Sequence, residues 1–219
     1  FKSPYAYLAI EPSRKFAKKH NLVINWLPYI IDIPKYLGSA KVDSKNNIIE
    51  NDRNDHQWRR VKYSYMDCRR YANTRDLTIL GPQKIWNTKL ISILMLWIKI
   101  HHTKLLDKFI NLIYKKFWKR NLDLENHDVI INIIKELGIK NNNFIEWKNS
   151  NGKKELKNII NNAHKYGFVQ RYKPGYEAVT GYSAEAWHWR FVGTAAATDM
   201  KTKGIHTLEQ YWGLPGGGY

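Results

Sequence analysis

Ala163-His164-Lys165-Tyr166-Gly167 divides this chain into two compositions. Of 20 asparagines, four lie in residues 1–50, four in 51–100, eight in 101–150 and four in 151–165, and none follows Gly167. Isoleucine follows the same course, with Ile205 alone beyond Gly167, whereas eight of the 13 glycines lie there. One folded domain rarely changes composition so abruptly. The chain therefore reads as two segments of different origin, residues 1–165 and residues 166–219, meeting at this stretch.

The bulk numbers bound the function. With 43% hydrophobic and 14% aromatic residues among 219, a core can form and global disorder is excluded. A lone cysteine, Cys68, excludes a disulfide scaffold, a CxxC redox pair and a multi-thiolate zinc site; its place inside a helical pattern predicts burial rather than reactivity. The longest apolar run, Leu90 to Ile100, is interrupted by Ser92 and Lys99 and is too short to span a bilayer. The opening FKSPYAYLAI lacks the pattern of a signal peptide, which predicts a cytoplasmic location. The formal net charge of +17 invites a polyanion partner, but residues 168–219 hold five basic and four acidic groups, and the rest is lysine scattered among isoleucine and asparagine. Lys115-Lys116-Phe117-Trp118-Lys119-Arg120 reads as a solvated helix end over buried aromatics, so no nucleic-acid partner is expected. Oligomeric state is not encoded in any pattern here.

Along the first segment, Ser3 can cap a helix with Pro4 in its first turn, running to about His20. Leu22 to Pro28 is short, apolar and β-branched, which predicts a strand over 22–29. Residues 33–57 are polar and irregular, a loop or short helix, 58–75 are helical in pattern, and Gly81-Pro82 marks a turn. Residues 88–120 predict two helices breaking near His101-His102-Thr103, a pair with no spacing toward other metal ligands. Asn126-His127-Asp128 opens a helix closed by Gly138, and Phe144 with 153–165 gives a last helical stretch.

Several blocks of this segment carry a family likeness: Phe1 to Ala9, Trp26-Leu27-Pro28, Val61 to Ala72, Gly81-Pro82, Asn87-Thr88, and Phe117-Trp118 before Leu122-Asp123. In this order the segment resembles the 2-hydroxychromene-2-carboxylate isomerases and kappa-class glutathione transferases. The resemblance implies an α/β, thioredoxin-like fold (DSBA-like) with a helical insertion, and a glutathione-dependent cis–trans isomerisation of a small aromatic-degradation intermediate. It implies that the Ser3 hydroxyl, at a helix N-terminus, donates to the thiolate of glutathione; the alternative is that Ser3 only caps the helix. Asp67, Arg70 and Tyr71 would line the substrate side, or else form a surface ion pair and a core aromatic. Asn87 would be an active-site asparagine, or the cap of the helix beginning at Lys89. The strand before Ser3, the cis-proline segment beside the thiol site and the last hairpin of the family have no counterpart here, so the sheet is expected to be incomplete.

The second segment carries a denser pattern: Ala163 to Tyr172, Thr180-Gly181-Tyr182, Glu185 to Gly193, and Thr207-Leu208-Glu209-Gln210-Tyr211. It resembles the C-terminal end of zinc D-alanyl-D-alanine carboxypeptidases, which act on peptidoglycan peptides, and predicts a small α+β tail. The resemblance implies that His188 is a zinc ligand and Glu185 the general base on zinc-bound water. Zinc needs three protein ligands, and the family draws two from a motif with histidine seven residues before aspartate. None of the eight histidines has aspartate at that distance. The competing reading of Trp187, His188 and Trp189 is a packed aromatic cluster. The expectation is thus a chimera whose fuller half is a glutathione-dependent isomerase; the alternatives are a zinc carboxypeptidase using Glu185 and His188, and an inactive fusion.

Overall fold

In the computed structural model, residues 1–140 and 143–217 are described, except for the side chains of Ile160, Ala186 and Trp187. The chain forms two compact units, residues 1–30 with 37–156, and residues 31–36 with 157–219. This division lies upstream of the compositional seam.

The first unit is mainly helical. Helix α1 (Pro4–Lys19) begins as its sequence dictates: Ser3 Oγ accepts from the Ala6 amide at 3.3 Å, and Pro4 occupies a position where no amide is needed. Pro12 lies inside α1 and cannot donate to the carbonyl of Leu8, four residues back. Residues 31–36, which supply all but the last residue of the short α2 (Ile33–Leu37), belong to the second unit; beyond them strands β1 (Ala40–Val42) and β2 (Ile48–Asn51) pair as an antiparallel hairpin. Helix α3 (Asp55–Asn73) starts in a reciprocal cap. Asn54 Oδ1 accepts from the Gln57 amide at 2.9 Å, and Gln57 Oε1 accepts from the Asn54 amide at 3.0 Å.

Helix α4 (Lys89–His101) is the apolar run of the sequence. It is buried continuously from Ile91 to Ile98, and packs on α5 (Leu106–Trp118) and on α7 (Phe144–Trp147) with the π turn that follows, Lys148–Gly152. Thirteen residues rise about 20 Å, short of the about 30 Å of a hydrocarbon layer, so burial in protein is the solution for this run. Among the described residues no helix is long and apolar enough to cross a membrane. Phe109, Ile113, Trp118, Phe144 and, from α6 (His127–Glu136), Ile130, Ile133 and Ile134 complete this core. Asn126 caps α6 by accepting from the amides of Asp128 and Val129, and Gly138 closes it at φ +83°.

After α8 (Lys153–Asn161), the second unit is built on the antiparallel hairpin of β3 (Phe168–Tyr172) and β4 (Glu185–Phe191), with α9 (Glu177–Thr180) between them. Helix α10 (Thr194–Thr202) packs on β3, and α11 (Leu208–Trp212) is capped by Thr207, whose hydroxyl accepts from the Gln210 amide at 3.1 Å. Ala197, Met200, Leu208 and Glu209 are buried here.

Three expectations are corrected. Residues 22–29 form no strand: Val23 is 97% exposed, and the Leu22 amide is used to close α1, donating to Ala17 O at 2.8 Å. Residues 33–57, expected to be a loop or short helix, hold the short α2 but also the β1–β2 hairpin. The last helical stretch does not run unbroken to 165: α8 ends at Asn161, and a 3-10 turn covers Ala163–Tyr166.

Candidate active site

The register of β3 against β4 sets the geometry. Phe168, Val169 and Gln170 pair with Phe191, Arg190 and Trp189, and then Tyr172 pairs with Glu185. Two steps along β3, from Gln170 to Tyr172, consume four along β4, from Trp189 to Glu185. The excess lies within 186–188 as a bulge. On a regular strand, residues three apart point to opposite faces. The bulge removes that alternation and brings His188 Nδ1 to 3.1 Å from Glu185 Oε2.

The pair is graded in exposure: the Glu185 side chain is 20% exposed and that of His188 46%. A carboxylate accepts, so in this contact Nδ1 is the donor; the tautomer with the proton on Nδ1 carries its lone pair on Nε2. Tyr172 packs edge-on against the imidazole, ring centroids 4.7 Å apart at 78°, and stacks on Tyr182 at 4.8 Å. Burial raises the Tyr172 hydroxyl above its usual pKa, so it stays protonated beside the pair. Tyr172 and Tyr182 were not singled out from the sequence. Tyr172 was readable only as a family position, because its contact with His188 depends on the bulge. Of the aromatic cluster, Trp187 has a side chain outside the described residues.

The described residues of the second unit do not complete a zinc site. Among the described residues, no group of three histidines, cysteines, aspartates or glutamates is placed to hold an ion. The other candidates are engaged elsewhere. Asp199 pairs with Lys203 at 2.8 Å, Glu209 accepts both guanidinium arms of Arg171, and His206 lies 3.1 Å from Lys173 Nζ. Glu185 and His188 are two donors where three are needed, so these residues do not fit the metal.

The candidate residues of the first segment lie at the start of α1, on α3 and in the loop before α4. Ser3 caps α1. Asp67 accepts from Tyr5 Oη at 2.9 Å; burial and this bond push the Tyr5 hydroxyl up to about 12. Arg70 is exposed on α3, and Tyr71, also exposed, has the Arg75 guanidinium 5.9 Å from its ring centroid. Asn87 Oδ1 accepts from the Lys89 amide at 3.0 Å, and its own amide donates to Glu125 Oε1 at 2.7 Å. The loops holding Ser3 and Asn87 approach each other through Lys2 Nζ, which donates to Trp86 O at 3.3 Å. Cys68 is buried, with its thiol donating to Ser64 O at 2.6 Å, and burial raises its pKa.

Comparison with known proteins falls on the second hairpin and the helices before it. The D-alanyl-D-alanine carboxypeptidase family (VanY) matches residues 128–194. The D-alanyl-D-alanine carboxypeptidase of Enterococcus faecalis is 39% identical over 62 residues, 28% of this chain and 23% of that protein. The putative carboxypeptidase YodJ of Bacillus subtilis is 43% identical over 54 residues, 25% of this chain and 19% of that protein. The D-alanyl-D-alanine carboxypeptidase of Enterococcus faecium is 44% identical over 57 residues, 26% of this chain and 18% of that protein. Among solved structures, the LdcB LD-carboxypeptidase, described for its peptidoglycan recognition, is 43% identical over 31% of this chain and 39% of that one, with a TM-score of 0.26. The chain thus spans under a quarter of the curated relatives it matches. The match opens at Asp128, upstream of the seam, and includes Glu185 and His188. It excludes Ser3, Asp67, Arg70, Tyr71, Asn87 and every other block carrying the isomerase likeness.

Proposed function

We propose that this chain carries part of a carboxypeptidase that removes a C-terminal D-alanine from peptidoglycan peptides, with Glu185 and His188 as the reacting groups. The observation that carries the reading is the 3.1 Å contact of these two side chains on a bulged hairpin inside the matched stretch. Glu185 takes a proton from the water that attacks the scissile carbonyl and returns it to the leaving amine. His188, its Nδ1 held by Glu185, presents Nε2 to the same space, and the Tyr172–Tyr182 stack fixes the imidazole plane. The cytoplasmic expectation rests on the pattern of the opening residues; this reading puts the action instead at the peptidoglycan outside the inner membrane. For residues 1–165 a thioredoxin-like ancestry remains our proposal, on the order of α1 and the helices that follow. It carries no glutathione step, because the matched stretch reaches neither Ser3 nor Asn87.

The test is release of D-alanine from an acetylated peptide ending in D-alanyl-D-alanine, by the full chain and by Glu185→Gln and His188→Ala. Loss of general-base catalysis predicts a fall of about a hundredfold or more for Glu185→Gln. Equal release by the native chain and both variants would sink the reading.

A further inference from the structure

The turn after α1 holds an apolar tip out in solvent. Val23 is 97% exposed and Leu22 56%. The backbone is pinned on both sides of this tip. Before it, Asn21 takes φ +51°, and the Leu22 amide donates to Ala17 O at 2.8 Å, which closes α1 in a left-handed turn. After it, Lys99 Nζ donates to Trp26 O at 2.7 Å and also to Asn25 Oδ1. The exposure of two aliphatic side chains is thus built into the fold, not left by a slack loop, and in water it is unfavourable.

The surroundings of the tip are cationic. One open cleft is bounded by Arg14 and Lys18 of α1, by Leu22 and Val23, and by Thr103 and Asp107 around the start of α5. Glu11 and Asp107 are the acidic residues of α1 and of 103–118, and both are paired. Arg14 Nη2 lies 2.8 Å from Asp107 Oδ1, and Lys15 Nζ lies 3.7 Å from Glu11 Oε1. Lys18 is exposed on the cleft, and Lys104 and Lys108, one helical turn apart beside Thr103 and Asp107, are exposed too. This combination selects among partners. A protein interface of ordinary size covers roughly 800 Å² on each side around aromatic anchors, more than two aliphatic side chains offer. A nucleic acid would neutralise the lysines but leave Leu22 and Val23 in water. An anionic bilayer takes a shallow apolar insertion, and each nearby lysine adds attraction to its headgroups.

We propose that the turn at 21–24 docks this chain onto an anionic lipid surface. Leu22 and Val23 enter the boundary between headgroups and acyl chains, and Lys18, Lys104 and Lys108 face the headgroups. The docking is peripheral and does not depend on the carboxypeptidase reading.

The experiment sediments the full chain with vesicles of phosphatidylcholine, and with vesicles of phosphatidylcholine and phosphatidylglycerol in equal parts. The expected result is binding to the second and little to the first. Leu22→Ser with Val23→Ser, at exposed positions and with no change in charge, weakens that binding at least about fivefold. Lys104→Gln with Lys108→Gln also weakens it at least about fivefold. Lys153→Gln with Lys154→Gln removes the same charge from exposed positions of α8 and has a smaller effect. Matching thermal melts show that each variant keeps the fold. No binding to either vesicle would overturn the proposal. Binding that survives loss of the tip, or that falls equally with the two lysine pairs, would reveal adsorption by net charge alone and overturn it as well. A concentration-dependent dimer without vesicles, abolished by Leu22→Ser with Val23→Ser, would assign the tip to a second copy of the chain and likewise overturn it.

Discussion

Arg75 Nη1 donates to the carbonyl oxygen of Leu8 at 2.8 Å, in the place that the missing amide of Pro12 leaves open. In an unbroken helix the amide four residues on would hold that carbonyl. Leu8 is buried, so its oxygen would otherwise lack a donor. Helix α3 ends at Asn73, and the turn after it delivers the guanidinium to the gap in α1.

Arg75→Ala is therefore expected to cost about 1–3 kcal/mol, the cost of leaving a buried acceptor unpaired. Pro12→Ala restores the helical donor and is expected to stabilise by about 1–3 kcal/mol, since proline inside a helix is the costlier residue. In the Pro12→Ala background, Arg75→Ala becomes nearly silent. A double-mutant cycle by urea denaturation checks the coupling, and additive effects would refute it.

Gly167 fixes the start of the β3–β4 hairpin. Its φ is +81°, and a Cβ there would lie 2.6 Å from Phe191 Cε2 and 3.0 Å from Gly193 C. Gly167→Ala is expected to destabilise by about 1–3 kcal/mol. The strain sits where the register begins, so D-alanine release should fall with stability. Phe191→Ala should return the part of the loss owed to the clash and none of the part owed to φ. Thermal melts of the single and double variants check this.

What was legible in the sequence was local. Ser3, Asn126 and Gly138 mark helix ends through bonds within a few residues, and α1 and α6 begin and end as those residues predict. The break at His101-His102-Thr103 likewise separates α4 from α5. The strand expected over 22–29 failed because β structure needs a partner from elsewhere in the chain, and β-branched composition does not supply one. The β1–β2 hairpin was hidden by its short strands, Ala40–Val42 and Ile48–Asn51, set among polar residues. Yet its turn carried a signal: Asp43 Oδ1 accepts from the amides of Lys45 and Asn47, and Asn46 adopts φ +69°. Glu185 and His188 were legible as residues. Their contact was not, because it depends on extra residues in β4 that no spacing rule reveals.

Zinc gives a direct check on the second unit. Glu185 and His188 provide two donors, and the described residues add no third. Equimolar zinc at neutral pH should leave the melting temperature of the chain unchanged within about 1 °C, and dialysis against a chelator should do the same. A zinc-dependent rise of several degrees, abolished by His188→Ala, would show that the site is completed by groups beyond this pair.

The Arg171–Glu209 pair sets the acid stability of the second unit. Burial by itself would raise the Glu209 carboxyl, but the Arg171 hydrogen bond and positive charge outweigh it and hold the group below the usual glutamate range. A carboxyl depressed in the folded state contributes stability that is fully present above the unfolded value, about 4.3, and is lost as pH falls through the lower folded value. The native chain should therefore lose stability below about pH 4 more steeply than Arg171→Met with Glu209→Leu. Arg171→Met alone strands a buried carboxylate and should cost about 3–5 kcal/mol at neutral pH, while the double variant, with neither charge left, should lie much nearer the native chain. Melting temperatures of the three proteins between pH 3 and pH 7, about the range of glutamate titration, decide the matter. Parallel pH profiles for the native chain and the double variant would mean that the pair contributes no linked stability.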